Sequence, residues 1–351
     1  MPEVRHKPYS GEHCESTMLA NLLGQQGIDL SEEMVFGLGM GLNYIHWEAR
    51  NMPFPFIGGR VKPDALAENL STVLGVEFDV RETSSASRAR DNALQALEAG
   101  KLVGLKLDHY HLEYFPEKRV HFHAHYATLY RMDGEGAWLI DTKGAGGGGR
   151  TSLDSLSEAR SAKGPMSSKS RSVTVKSGPR LEALRAQLAD KLRAAFFKAL
   201  AANAHAYLNP PIRNLGYKGV LKSSESVTRW LDEIDNPAGS LPIIAMLMER
   251  AGTGGGLFRK MYGRFLKQGQ ELTGLAALGS VATGFDAIAA QWTAVAGLIE
   301  QAGTCSSRDA LSEASRLMAE ISGRERSAFM TLAALALDAA GNAGFSGSMQ
   351  R

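Results

Sequence analysis

The sequence predicts an α+β protein in two parts, an N-terminal part whose helices give way to strands and an all-helical C-terminal part. Three observations lead there. Residues 1–160 open with helical apolar periodicity and end in alternating apolar runs, an α+β order and not that of repeated βαβ units. From Pro179 onward the pattern is helical almost throughout. Between them, residues 162–179 (AKGPMSSKSRSVTVKSGP) are rich in Ser, Gly, Pro and Lys. Such a stretch reads as a linker or exposed loop. The expected divisions are therefore 1–160, a connector over 161–178, and a helical domain over 179–351.

Each element has its own signal. In residues 12–26 (EHCESTMLANLLGQQ), Met18, Leu19, Leu22 and Leu23 form a stripe at helical spacing, and Gly24 or Gly27 ends it. Ser31 can cap a second helix running to Phe36, with Glu32 and Glu33 in its first turn. FGLGMGLNY follows. Its glycine spacing lacks the preceding strand of a dinucleotide site and reads as a loop in which backbones pass closely. Helices are expected over Pro63–Leu74 and Ala89–Ala99, with a strand, Val76–Val80, between them. Strands are expected over Lys101–Tyr110, His121–Met132 and Ala137–Lys143, the last two joined by a turn containing Asp133-Gly134. The C-terminal part reads as a bundle of about six amphipathic helices.

Composition narrows the function. The chain has 351 residues, 44% hydrophobic, with 39 Lys+Arg against 37 Asp+Glu. That is too apolar and too evenly charged for disorder. A net +2 argues against a dedicated nucleic-acid binder. Two cysteines cannot build a disulfide framework or a thiolate zinc site, which fits a reducing cytoplasm. No run of 18 apolar residues predicts a membrane span, and MPEVRHKPYSGEHCES has no apolar signal core. The charge is unevenly placed, net −6 over residues 1–160 and +8 over 161–351. Opposite charges can help two domains dock, or the basic part can meet an acidic partner.

Two places could carry chemistry. Cys14 stands at the start of a predicted helix, where unsatisfied N–H groups favour a thiolate; the alternative is a buried structural cysteine. Cys305, in GTCSSRD, has no histidine nearby in sequence and reads as structural. His121, His123 and His125 alternate and would share a strand face. His125 could be a base for Cys14, oriented by Asp141. Alternatively the row could ligate a metal, joined by His109 or His111, although no carboxylate accompanies it at a familiar spacing. Hairpin geometry discriminates. A three-residue loop, Asp133-Gly134-Glu135, or a bulge would set Asp141 opposite Ala127 and within reach of His125. A two-residue turn would put the pair on opposite faces.

GEHCESTMLANLLGQQGIDLSEEMVFGLGMGL and HFHAHYATLYRMDGEGAWLIDT resemble the N-terminal domain of the butirosin biosynthesis protein H family. The second stretch also resembles papain-like bacteriocin-leader peptidases. NLGYKGVLKSSESVTRWLDE and GTGGGLFRKMYGRFL resemble the helical domain of unassigned function that accompanies it. The likeness spans nearly the whole chain and is most specific at His13-Cys14, at His121, Phe122 and His125, and at Gly252–Arg259.

The resemblance implies a papain-like N-terminal domain and an acyltransferase. Such an enzyme takes an acyl group from an acyl-carrier-protein thioester and delivers it to an amine. Cys14 is then the nucleophile, His125 the base and Asp141 the orienting acid. No Gln precedes Cys14 in HKPYSGEH, so the Cys14 N–H is the natural first oxyanion donor, with Tyr9, Ser10 or His13 as second. His121 is a further substrate-binding candidate. Arg259, beside the glycine run, is a candidate contact for the carrier's phosphopantetheine phosphate or the acceptor. The helical domain is expected to cap the cleft. No cofactor and no metal are expected. The expected partners are an acyl carrier protein or peptidyl carrier domain and a small-molecule acceptor, with homodimerisation left open. A cysteine peptidase or amidohydrolase, or a thioester-driven cyclase, would use the same triad.

Overall fold

A computed structural model describes residues 3–50, 52–115 and 120–346, with backbone alone for 341–346. Its contacts divide the chain into two units, residues 1–35 with 63–192, and residues 36–62 with 193–351. The chain opens with helices α1 (Cys14–Gln25) and α2 (Glu32–Leu38). It then forms the hairpin strands β1 (Leu42–Trp47) and β2 (Phe56–Arg60). Back in the first unit follow α3 (Ala65–Leu74), β3 (Phe78–Arg81), α4 (Ala86–Glu98), β4 (Val103–Leu107), β5 (His125–Met132), β6 (Ala137–Ile140) and β7 (Gly148–Thr151). That unit closes with α5 (Leu153–Ser161), β8 (Ser172–Val175) and α6 (Pro179–Ala186). Helix α7 (Leu188–Leu208) leads onward to α8 (Gly216–Val227), α9 (Trp230–Glu233), α10 (Pro237–Glu249), α11 (Arg259–Thr273), α12 (Ala276–Cys305) and α13 (Arg308–Ser346).

In the first unit a six-stranded sheet has the order β3-β8-β4-β5-β6-β7, with every pairing antiparallel. Helix α1 packs on β4 and β5 and is buried on all sides from Glu15 to Leu23. Gly104 in β4 permits that approach, because a Cβ there would lie 2.3 Å from the Met18 sulfur.

The segment expected as a connector is largely part of this unit. Ser172–Val175 alternates Val with small hydroxyl residues and lies between β3 and β4 in the sheet. Ladder pairing on both edges outweighs the polar character of the flanking residues. The division falls instead at residues 192 and 193, within α7.

The second unit joins the hairpin to the C-terminal helices. FGLGMGLNY, expected as a loop, holds the end of α2, a turn at Gly39-Met40 and the start of β1, in which Leu42, Tyr44 and His46 are buried in alternation. The Tyr44 hydroxyl and the His46 Nδ1 each lie 2.6 Å from Ser223 Oγ of α8, which anchors the strand. Trp292 of α12 stacks on Tyr44 at 5.5 Å. Among the described residues no helix is long and apolar enough to cross a membrane.

Candidate active site

Cys14 is the first residue of α1 and is half-buried. His13 caps the helix in extended conformation, with its Nδ1 accepting from Ser16 N at 3.3 Å. Glu32, at the start of α2, holds the approach to the cysteine. Its carboxylate accepts the Glu12 N–H at 2.8 Å, the His13 N–H at 2.6 Å, and the Ser16 and Thr17 hydroxyls at 3.1 and 3.2 Å. Burial raises the Glu32 pKa and these bonds pull it back only in part. Sequence spacing showed Glu32 only as a first-turn acid, because its partners lie across a loop.

The hairpin places the other two groups. Met132 pairs with Ala137 and Thr128 with Ile140, with a bulge between Leu129 and Arg131. The bulge offsets the even loop Asp133–Gly136, so the register extended by one residue sets Asp141 opposite Ala127. His125 Nε2 lies 2.6 Å from Asp141 Oδ2. Asp141 Oδ1 accepts the Thr142 N–H at 2.6 Å, and Oδ2 also accepts the Tyr114 hydroxyl at 2.7 Å. The Asp141 N–H donates to Gly147 O at 3.0 Å. Gly148 follows at φ +103°, where a Cβ would strike Leu139 O at 2.1 Å, so only glycine lets the chain turn back beneath Asp141.

The Cys14 sulfur lies 4.0 Å from the carbonyl of Ala124, the residue that precedes His125 on its way into β5, and its charge acts on the His125 ring. Burial pushes the imidazole down, but the charge and hydrogen bond of Asp141, with the Cys14 sulfur adding, raise its pKa to about 10. Tyr114 is held well above its ordinary value by burial and by the Asp141 charge, so it remains a donor. Phe115 packs edge-on against His125 at 5.3 Å. Neither Tyr114 nor Phe115 had a sequence signal; both sit in an unpatterned loop.

The remaining candidates fall elsewhere. The His13 ring is buried and acts as the helix cap, which takes it out of the oxyanion role. Tyr9 exchanges two backbone bonds with the Asn21 side chain, at 3.0 and 2.8 Å. The Ser10 hydroxyl donates to Gly147 O at 3.4 Å. The Cys14 N–H remains the natural oxyanion donor, because a first-turn N–H has no intrahelical partner. His121 lies outside strand β5 and bonds Asp108 at 2.7 Å, not the His125 pair.

Arg259 is corrected from ligand contact to core residue. It is fully buried, with Nε and Nη2 on Glu325 at 2.6 and 3.0 Å and Nη1 on Leu257 O and Asn43 O at 2.8 and 3.2 Å. The nearby glycine run is also engaged, since Gly256 N–H donates to Glu249 at 2.8 Å. Cys305 ends α12, exposed.

A helix-start thiol, an imidazole and a carboxylate joined in this way form the constellation that nucleophilic enzymes use. Residues 13–142 match the model for the N-terminal domain of butirosin biosynthesis protein H, and residues 154–332 match a domain of unknown function, DUF4872. The chain thus joins a domain of the butirosin biosynthesis protein H N-terminal family to a DUF4872 domain, in that order. No curated protein matches it significantly. The N-terminal match is to a family named for butirosin biosynthesis, and the C-terminal match carries no function in its name.

Proposed function

We propose that this protein is a cysteine-dependent acyltransferase with a papain-like N-terminal domain. It would take an acyl group from a carrier-protein thioester and pass it to an amine. The observation that carries the reading is the His125–Asp141 pair at 2.6 Å, with Cys14 at the start of α1 and its sulfur 4.0 Å from the carbonyl of Ala124, the residue before His125. The Cys14 thiolate attacks the thioester carbonyl, and the Cys14 N–H meets the oxyanion. The phosphopantetheine thiolate leaves and takes the proton from His125, giving an acyl-enzyme and a free carrier thiol. The acceptor amine then attacks, His125 takes its proton, and Cys14 is released as thiolate. Thioester exchange is nearly neutral in free energy; amide formation is downhill and draws the acyl group onward. Asp141 keeps the imidazole oriented and charged, and Tyr114 and Thr142 hold Asp141. The net +8 over residues 161–351 suits an acidic carrier protein. No resident cofactor enters these steps.

Intact-mass spectrometry tests the reading. Incubation with an acyl-loaded carrier protein is expected to add one acyl mass to the protein. The adduct should be absent in Cys14→Ala and discharged by an amine. Discharge by water alone, with amines ignored, would make the protein a hydrolase, and discharge by a nucleophile within the acyl group a cyclase. No adduct, with undiminished turnover in Cys14→Ala, would sink covalent catalysis altogether.

A further inference from the structure

We infer a divalent transition-metal site, of the zinc type, formed by Asp108, His111 and His121. It lies in the first unit, outside the Cys14–His125–Asp141 centre. Asp108 follows β4, a single 3-10 turn spans His109–His111, and His121 precedes β5. One ligand atom from each of the three residues lies within 4.8 Å of the others. His121 Nδ1 is 2.7 Å and His111 Nε2 3.8 Å from the same oxygen, Asp108 Oδ2. Tetrahedral zinc with ligands at 2.0–2.2 Å needs donor separations of roughly 3.3 Å, so small side-chain rotations bring these three donors to that spacing and leave a fourth position open.

Two features set this cluster apart from a chance ion pair. First, the Asp108 side chain is fully buried, and its oxygens divide their work. Oδ1 accepts the Phe122 and Tyr110 N–H groups at 2.9 and 3.2 Å, which fixes the carboxylate and turns Oδ2 toward the imidazoles. Second, the other nitrogen of His111, Nδ1, lies 3.0 Å from the Glu158 carboxylate of α5. A carboxylate behind a histidine fixes the tautomer and aims the opposite nitrogen at a metal. The His121 ring, stacked on Tyr110 at 4.1 Å, has its side chain 57% exposed, which leaves a route for the ion and water for the remaining position. The ion would tie the end of β4 to the start of β5, clasping the ends of the loop that carries Tyr114 to Asp141 and Phe115 to His125. Its role is to position that loop, not to take part in acyl transfer.

The full-length protein, dialysed against chelator, should be titrated with zinc ion alone and with cobalt(II). One equivalent is expected to bind, with the visible absorption of tetrahedral cobalt lacking a thiolate charge-transfer band. His121→Ala, at an exposed position outside the core, should abolish binding and the accompanying rise in melting temperature. Glu158→Gln should weaken binding by about 10–100-fold while leaving stoichiometry intact. Absence of binding in the wild type, or equal affinity in His121→Ala, overturns the site. Binding lost in Cys14→Ser but kept in His121→Ala overturns it too, because the ion would then sit on the nucleophile.

Discussion

Substitution of Arg259 by Ala is expected to unfold the helical unit at markedly lower temperature. The guanidinium is fully buried and spends its donors on Glu325, Tyr207 and three backbone carbonyls, those of Asn43, Gly59 and Leu257. Burial works against its charge, yet Glu325 and Tyr207 outweigh that and hold it protonated. Glu325 is fully buried too, and also accepts the Trp292 indole N–H at 3.0 Å. Alanine would leave this carboxylate uncompensated. Removing one member of a buried pair costs about 3–5 kcal/mol. At about 2–4 °C per kcal/mol for a unit of this size, the melting temperature should fall by about 6–20 °C. Calorimetry or far-UV circular dichroism measures it. Arg259→Met combined with Glu325→Leu removes both charges at similar volume and should recover most of the loss. The reasoning is refuted if Arg259→Ala melts within about 2 °C of wild type and instead raises the KM for the carrier substrate, since the side chain would then be meeting a ligand.

Three other outcomes follow from the site. Iodoacetamide at neutral pH should alkylate half-buried Cys14 faster than exposed Cys305, and Asp141→Asn should reverse that order; peptide mapping showing equal rates in the wild type would count against an activated thiol. His125 is raised from its ordinary 6.5 to about 10 in the folded protein, so its contribution to stability is complete below about pH 6.5 and fades as pH rises through about 10. The wild type should therefore lose urea resistance between pH 7 and pH 10 more steeply than Asp141→Asn does, and parallel profiles would refute the coupling. Glu32→Gln should lower stability by about 1–3 kcal/mol by leaving a backbone N–H of residue 12 or 13 without its acceptor, and should slow acylation of Cys14; unchanged acylation would show that the loop holds its shape without the carboxylate.

Much of the candidate site could be read from local spacing. Cys14 at a helix start and the His125–Asp141 geometry both depend on short-range pattern, and the bulge reached the expected pairing by a different loop length. The supporting groups could not be read that way. Tyr114 and Phe115 lie in a loop without periodicity, and Glu32 bonds backbone that belongs to another element. Strand β8 is four residues long between charged and polar flanks, too short for alternation to stand out from a linker. Asp108 bonds His121 from 13 positions away, across a stretch without periodicity. Arg259 misled for an electrostatic reason. Charge beside glycines suggests a surface, and its neutralising partner lies 66 residues further along.

The hairpin of β1 and β2 belongs to the unit that resumes at residue 193, within α7. Its anchor on Ser223 therefore emerges from the ribosome more than 150 residues after the strands do. At about 5–20 residues per second, the hairpin waits roughly ten to thirty seconds for that partner. A two-stranded hairpin is marginal alone, so during this interval Tyr44 and Ile57, buried in the finished protein, are without their final cover. Slower translation or a co-expressed holdase is therefore expected to raise the yield of folded protein more than added osmolyte does.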